Sequence, residues 1–135
     1  MAAPSFKAWR DYAFLQLCLH HVERIEEKLG ISGVETTVCS WSRKADPAQG
    51  LAGARFDLVL VRRDHVIHLC EIRYSLPPSD LLPAYWQELR ERREAFRRAT
   101  STKKALQLTL ITAHRLDFQA LAEDIQCQLT LDDLF

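Results

Sequence analysis

The sequence predicts one α/β domain over residues 1–135, a mixed sheet flanked by helices, and three observations carry that reading. An apolar-periodic run opens the chain. Two strand-like segments then lie a short polar stretch apart, and a long helical run separates them from a further buried-looking strand. Strands joined by a tight turn pair antiparallel, whereas strands joined by a helix pair parallel, so a sheet built from both is mixed.

From Ser5 to Leu29, Phe6, Trp9, Tyr12, Ala13, Leu17, Val22, Ile25 and Leu29 recur mostly at three- and four-residue steps, the period of one long helix. Ser5 supplies a cap, and Gly30 a left-handed stop with no Cβ to clash. Val34–Trp41 is rich in β-branched residues and reads as a strand. Residues 42–54, with one Pro and two Gly, read as a polar loop. Arg55–Arg62 and Val66–Tyr74 form a predicted hairpin around Arg63-Asp64-His65. SLPPSD breaks the second strand, and Ser79 or Asp80 can cap a helix that runs to about Thr100 with Tyr85, Trp86, Leu89 and Phe96 inward. Ala105–Thr112 is a strand, Leu116–Glu123 a short helix, Ile125–Leu129 a last strand, and residues 132–135 a terminal turn.

Hydrophobic residues make up 47% and charged residues 27% of the chain, the composition of a folded globular protein. A length of 135 residues suits one core and is short for two. The net charge is zero but unevenly placed: residues 55–104 hold 11 Lys/Arg against 7 Asp/Glu, and residues 105–135 hold 1 against 5. A +4 middle beside a −4 tail permits contact with a nucleic-acid backbone on one face. Cys18, Cys39, Cys70 and Cys127 are too widely spaced for a compact zinc motif. Cys39 and Cys70 fall in strand segments, where a free thiol behaves as a small buried hydrophobe. No leader or membrane-spanning pattern is visible, and reduced thiols fit a cytoplasmic location.

The chemistry concentrates in the hairpin. Residues two apart on a strand share a face, so Glu71 and Arg73 project with Ile67 and Leu69. If Arg62 pairs with Val66, paired positions sum to 128, and Asp57 lies opposite Glu71, with Cβ atoms about 4.5–5.5 Å apart. The same register predicts both carboxylates turned toward the first helix. Two facing carboxylates among apolar strands need a cation. A hard divalent ion, held by one or two carboxylates and completed by water and a substrate phosphate, is one solution. A structural ion cluster with Arg73 or Arg55 is the other.

The stretch GARFDLVLVRRDHVIHLCEIRYS, followed by KKALQLTLIT and QCQLTLDDLF and preceded by YAFLQLCLHHVERIEEKLGISGVETTVCSW, resembles the C-terminal nuclease-like domain of bacterial AAA-type ATPases, within the PD-(D/E)XK nuclease superfamily. The resemblance implies a restriction-endonuclease-like α-β-β-β-α-β core and a metal-dependent phosphodiesterase acting on DNA, with an ATPase domain or protein as a further partner. It implies Mg²⁺ or Mn²⁺ held by Asp57, Glu71 and the Ile72 carbonyl, with Asp57, Glu71 and Arg73 as the catalytic set. Arg55 and Arg92 are the implied nucleic-acid contacts.

The resemblance also marks departures. Arg73 stands where that family has lysine, and arginine holds a water or phosphate but does not act as a base. Leu15 stands where the family's first helix has glutamate, in Ala13-Phe14-Leu15-Gln16-Leu17-Cys18, and Asp11 lies one turn earlier on the same face. Gly53-Ala54-Arg55 stands for the family's Gly-Ala-Gln. Three changes at one site imply weak or lost catalysis, and the alternative is an inactive nuclease fold that binds nucleic acid or docks to an ATPase. The remaining signals read as structural: Arg90, Arg93, Arg97 and Arg98 as a solvated face, His68 as packing opposite Glu71, and Trp9, Trp41 and Trp86 as core or interface. The chain carries no P-loop.

Overall fold

The computed structural model describes residues 6–116 and 123–135. The element order is α1 (Phe6–His20), α2 (Val22–Lys28), β1 (Thr36–Arg43), β2 (Ala54–Arg62), β3 (Val66–Ile72), α3 (Pro83–Thr100), β4 (Ala105–Thr112) and β5 (Ile125–Thr130). The expected helix over Leu116–Glu123 falls mainly on residues outside those described.

The five strands form one mixed α/β sheet in the order β1-β2-β3-β4-β5. β1, β2 and β3 pair antiparallel, β3 and β4 parallel across α3, and β4 and β5 parallel. The hairpin keeps the predicted register: Val61 pairs with Ile67, Leu60 with His68, Val59 with Leu69 and Leu58 with Cys70. A slip of one residue would turn each strand's apolar set to its other face, which is why the pattern fixed it.

The predicted long first helix is two. The chain breaks at His21, whose Nδ1 lies 2.8 Å from the Leu17 carbonyl oxygen and whose φ of −122° leaves the helical region. Periodicity alone missed this, because apolar residues stay nearly in phase across the break. Gly30 ends α2 at φ 74°, as expected. The predicted Ser79 or Asp80 cap does not form. Pro78–Asp80 is a separate 3₁₀ turn, and α3 starts with Pro83 in its first turn and no side-chain cap.

The sheet separates two apolar layers. On one side Phe14, Cys18 and Ile25 of the first two helices pack on Leu58, Leu60, Cys70, Ile111 and Leu129. On the other, Trp86, Leu89 and Phe96 of α3 pack on Val59, Ile67, Leu69, Leu108 and Leu110. Cys70 is buried as expected, but Cys39 is exposed. β1 is an edge strand, and its central residues, Thr37 to Ser40, are all exposed.

One irregularity positions a functional side chain. Cys39 pairs with Val59 and Trp41 with Phe56, so Asp57 and Leu58 together oppose Ser40. This is a β-bulge, and it breaks strict alternation. Phe56 and Val59 both reach the α3 layer, while Leu58 reaches the other.

Candidate functional site

A concave cavity of about 660 Å³ opens where the β2–β3 ladder stops, walled by residues of α1, β2, β3 and α3. Every residue that the resemblance assigns to the site lines it: Asp57, Glu71, Ile72, Arg73, Arg55 and Arg92. So do Asp11 and Leu15, one turn apart on α1, as their spacing requires.

The two carboxylates do not sit as the hairpin register alone predicted. The ladder ends at Leu58–Cys70, one step short of an Asp57–Glu71 pair, because the bulge takes Asp57 out of alternation. Nor do both point to the first helix. Glu71 turns to α3: Arg92 donates to it from Nη1 at 3.2 Å and Nη2 at 2.6 Å, and the Tyr85 hydroxyl donates at 2.8 Å. Glu71 shares this face with Ile67 and Leu69, and Arg73 beside it also lies over the Tyr85 ring, Cζ 5.8 Å from the centroid. The predicted grouping of Glu71 with Arg73 therefore holds, and the layer they face is α3.

Glu71 is nearly buried, its side chain 10% exposed and that of Arg92 15%. A carboxylate so placed is costly unless paired and hydrogen-bonded, and this one has both. Arg92 is fixed further by donating to the Arg55 carbonyl at 3.1 Å and by lying over the Phe56 ring. Burial opposes its charge, but the hydrogen bonds and charge of Glu71 outweigh that, and its pKa is raised. Burial, then the neighbouring Glu71 charge, push the Tyr85 hydroxyl far up, so it remains a donor.

Asp57 is paired differently, with Arg55 Nε 3.1 Å from Oδ1. Its side chain is 32% exposed and that of Arg55 70%, so this pair is solvated and weak. The ion-cluster reading of the acidic pair thus describes these contacts, with Arg92 in the place anticipated for Arg73. The guanidinium of Arg73 makes no hydrogen bond or ion pair with the described residues.

The donor set does not fit a resident divalent cation in this arrangement. Both Glu71 oxygens are engaged by Arg92 and Tyr85, which leaves Asp57, held at Oδ1 by its weak pair with Arg55, without a second carboxylate to share a cation. Among the described residues no three His, Cys, Asp or Glu side chains are grouped to hold a metal ion.

Tyr85 and Tyr12 line or support the site and were read in the sequence only as apolar-face residues. Tyr85 had a usable signal: it is seven positions from Arg92, two helical turns along one face. Elsewhere on α3, Arg90 and Arg93 donate to Asp124 at 3.0 and 3.1 Å, so part of the basic middle is neutralised by the acidic tail. His68 is buried as expected, its Nε2 3.4 Å from Arg62 Nη1. Among the described residues no helix is long and apolar enough to cross a membrane. No protein-family model matches the chain, and no curated protein or solved structure does either.

Proposed function

We propose that this chain is a nuclease-fold module of the PD-(D/E)XK type whose metal centre has become a guanidinium–carboxylate cluster, and that it binds nucleic-acid phosphates in this cavity without cleaving them. The observation that carries the proposal is the buried clamp on Glu71. The carboxylate that the family resemblance assigns to a metal ion is neutralised by Arg92 and capped by Tyr85. The α-β-β-β-α-β order and the cavity at the splayed end of the hairpin support the restriction-endonuclease-like reading.

Binding then falls to the cations that remain available. Among the described residues nothing hydrogen-bonds the Arg73 fork, and Arg55 presents two terminal nitrogens beyond the one held by Asp57. Planar guanidinium groups match phosphate oxygens bidentately, and such contacts do not read sequence. Arg92, assigned to nucleic acid by the resemblance, serves here as the internal counter-ion of Glu71. DNA is the proposed partner, and the cytoplasm the proposed location.

The test is fluorescence anisotropy of a labelled oligonucleotide with wild type, Arg55→Ala and Arg73→Ala, beside a plasmid-cleavage assay in Mg²⁺. The reading expects weaker binding by each variant and no cleavage by wild type. Binding indifferent to both substitutions would overturn it.

A further inference from the structure

The first helix carries a surface that the clamp does not explain. Phe6, Trp9 and Tyr12 are 71%, 63% and 64% exposed, although the helical period placed them with the apolar set. They lie at i, i+3 and i+6, one inclined row on a helix surface. The row continues into Leu15, and both Tyr12 and Leu15 line the cavity that holds Arg55 and Arg73. Three largely exposed aromatic rings, running into a cleft lined by four arginines and four carboxylates, form a contact surface.

We propose that this row stacks the bases of a single-stranded nucleic acid whose phosphates sit in the cavity. The inference rests on the phosphate-binding reading above and names the form of nucleic acid bound. Stacking is sequence-tolerant because every base has a π face, and paired with a basic groove it is the usual chemistry of single-strand binding. A duplex has its bases already stacked and paired, so it can offer phosphates to Arg55 and Arg73 but no faces to the row.

The Phe6 and Trp9 rings are 5.8 Å apart and inclined by 32°, too close to admit a base, which needs about twice the stacking distance. Bases therefore lie on the outer ring faces. Arg55 and Arg73 at the cavity end of the row favour nucleic acid over an apolar protein partner: the Glu71 and Asp57 charges beside them are paired with Arg92 and Arg55, and Asp11 and Glu88 are the other carboxylates of the lining.

The experiment compares oligo-dT with a duplex of equal length by anisotropy, using wild type, Trp9→Ala, Tyr12→Ala, Trp9→Phe and Arg55→Ala. Both alanine sites are exposed, and circular dichroism checks the fold of each variant. The expected result is preference for the single strand, a loss of about tenfold or more on Trp9→Ala and on Tyr12→Ala, and recovery with Trp9→Phe. Equal affinity for both forms, or unchanged binding by the two alanine variants, overturns the inference. If Arg55→Ala still weakens binding in that case, the phosphate reading stands without it. No binding of either form overturns both. Self-association of the chain that Trp9→Ala abolishes, with no effect on oligonucleotide binding, assigns the row to a protein contact and also overturns it.

Discussion

Arg92→Ala should be the most damaging single change at the site. It leaves Glu71, with a side chain only 10% exposed, with the Tyr85 hydroxyl as its remaining donor among the described residues. At an effective dielectric near 20, opposite charges about 4 Å apart attract by roughly 4 kcal/mol. Much of this offsets desolvation while the pair is intact, but removing one partner leaves the other charge buried, which typically costs about 3–5 kcal/mol. The Arg55 carbonyl also loses its donor, although water can replace that contact at the cavity mouth. Urea unfolding of Arg92→Ala should therefore show a loss of about 3–4 kcal/mol, and Glu71→Leu/Arg92→Met a much smaller one. The alanine variant should also respond to Mg²⁺, because Glu71 is then free to accept a cation. Magnesium at ten times its dissociation constant would restore about 1.4 kcal/mol, with no such gain in wild type. A stability loss under about 0.5 kcal/mol would refute the clamp, and equal magnesium stabilisation of both proteins would refute the substitution of guanidinium for metal.

Other perturbations separate the parts of the account. Tyr85→Phe removes one hydrogen bond to a charged acceptor and should cost about 2 kcal/mol in the same unfolding assay. Burial, with Arg62 nearby, holds His68 below the usual histidine range. Its unfolded form therefore takes a proton first, so stability is present above about pH 6.5 and falls below it, by at most about 1.4 kcal/mol per pH unit. His68→Gln should flatten that decline. Hydrogen bonds from Arg90, then Arg93, hold Asp124 below the usual carboxylate range. Its contribution is present above the unfolded value and lost as pH falls through the folded one. Asp124→Asn should thus cost up to about 1 kcal/mol at pH 7 and nothing in strong acid. Arg73→Lys with Leu15→Glu restores a titratable amine and a carboxylate at the cavity, yet Arg92 still clamps Glu71. Plasmid cleavage in Mg²⁺ should stay undetectable in that double variant.

The sheet was legible because strand periodicity and hairpin register are local: Val59 opposite Leu69 follows from the turn length and the apolar pattern. The gathering of Asp57, Glu71, Arg73, Arg55 and Arg92 around one cavity was legible for the same reason, with the family resemblance adding Arg92. Three features were not. The Asp57–Leu58 bulge depends on how β1 meets β2, a nonlocal match that alternation along one strand does not encode. The turn of Glu71 toward α3 follows from partners 14 and 21 positions away. The exposure of Trp9 is invisible to periodicity, which places a residue on a helix face but does not say whether the sheet extends beneath that end of the helix.

The proposed role of the cavity is to hold nucleic-acid phosphate without hydrolysing it. Its most direct test is a titration of labelled oligonucleotide between about 50 and 200 mM salt, with cleavage in Mg²⁺ followed on the same samples. Two or three phosphate contacts to a single strand give a log–log slope near −2, so affinity should fall by roughly tenfold across that range, with the oligonucleotide intact throughout. Binding insensitive to salt, or Mg²⁺-dependent cleavage that Asp57→Ala abolishes, would contradict the account.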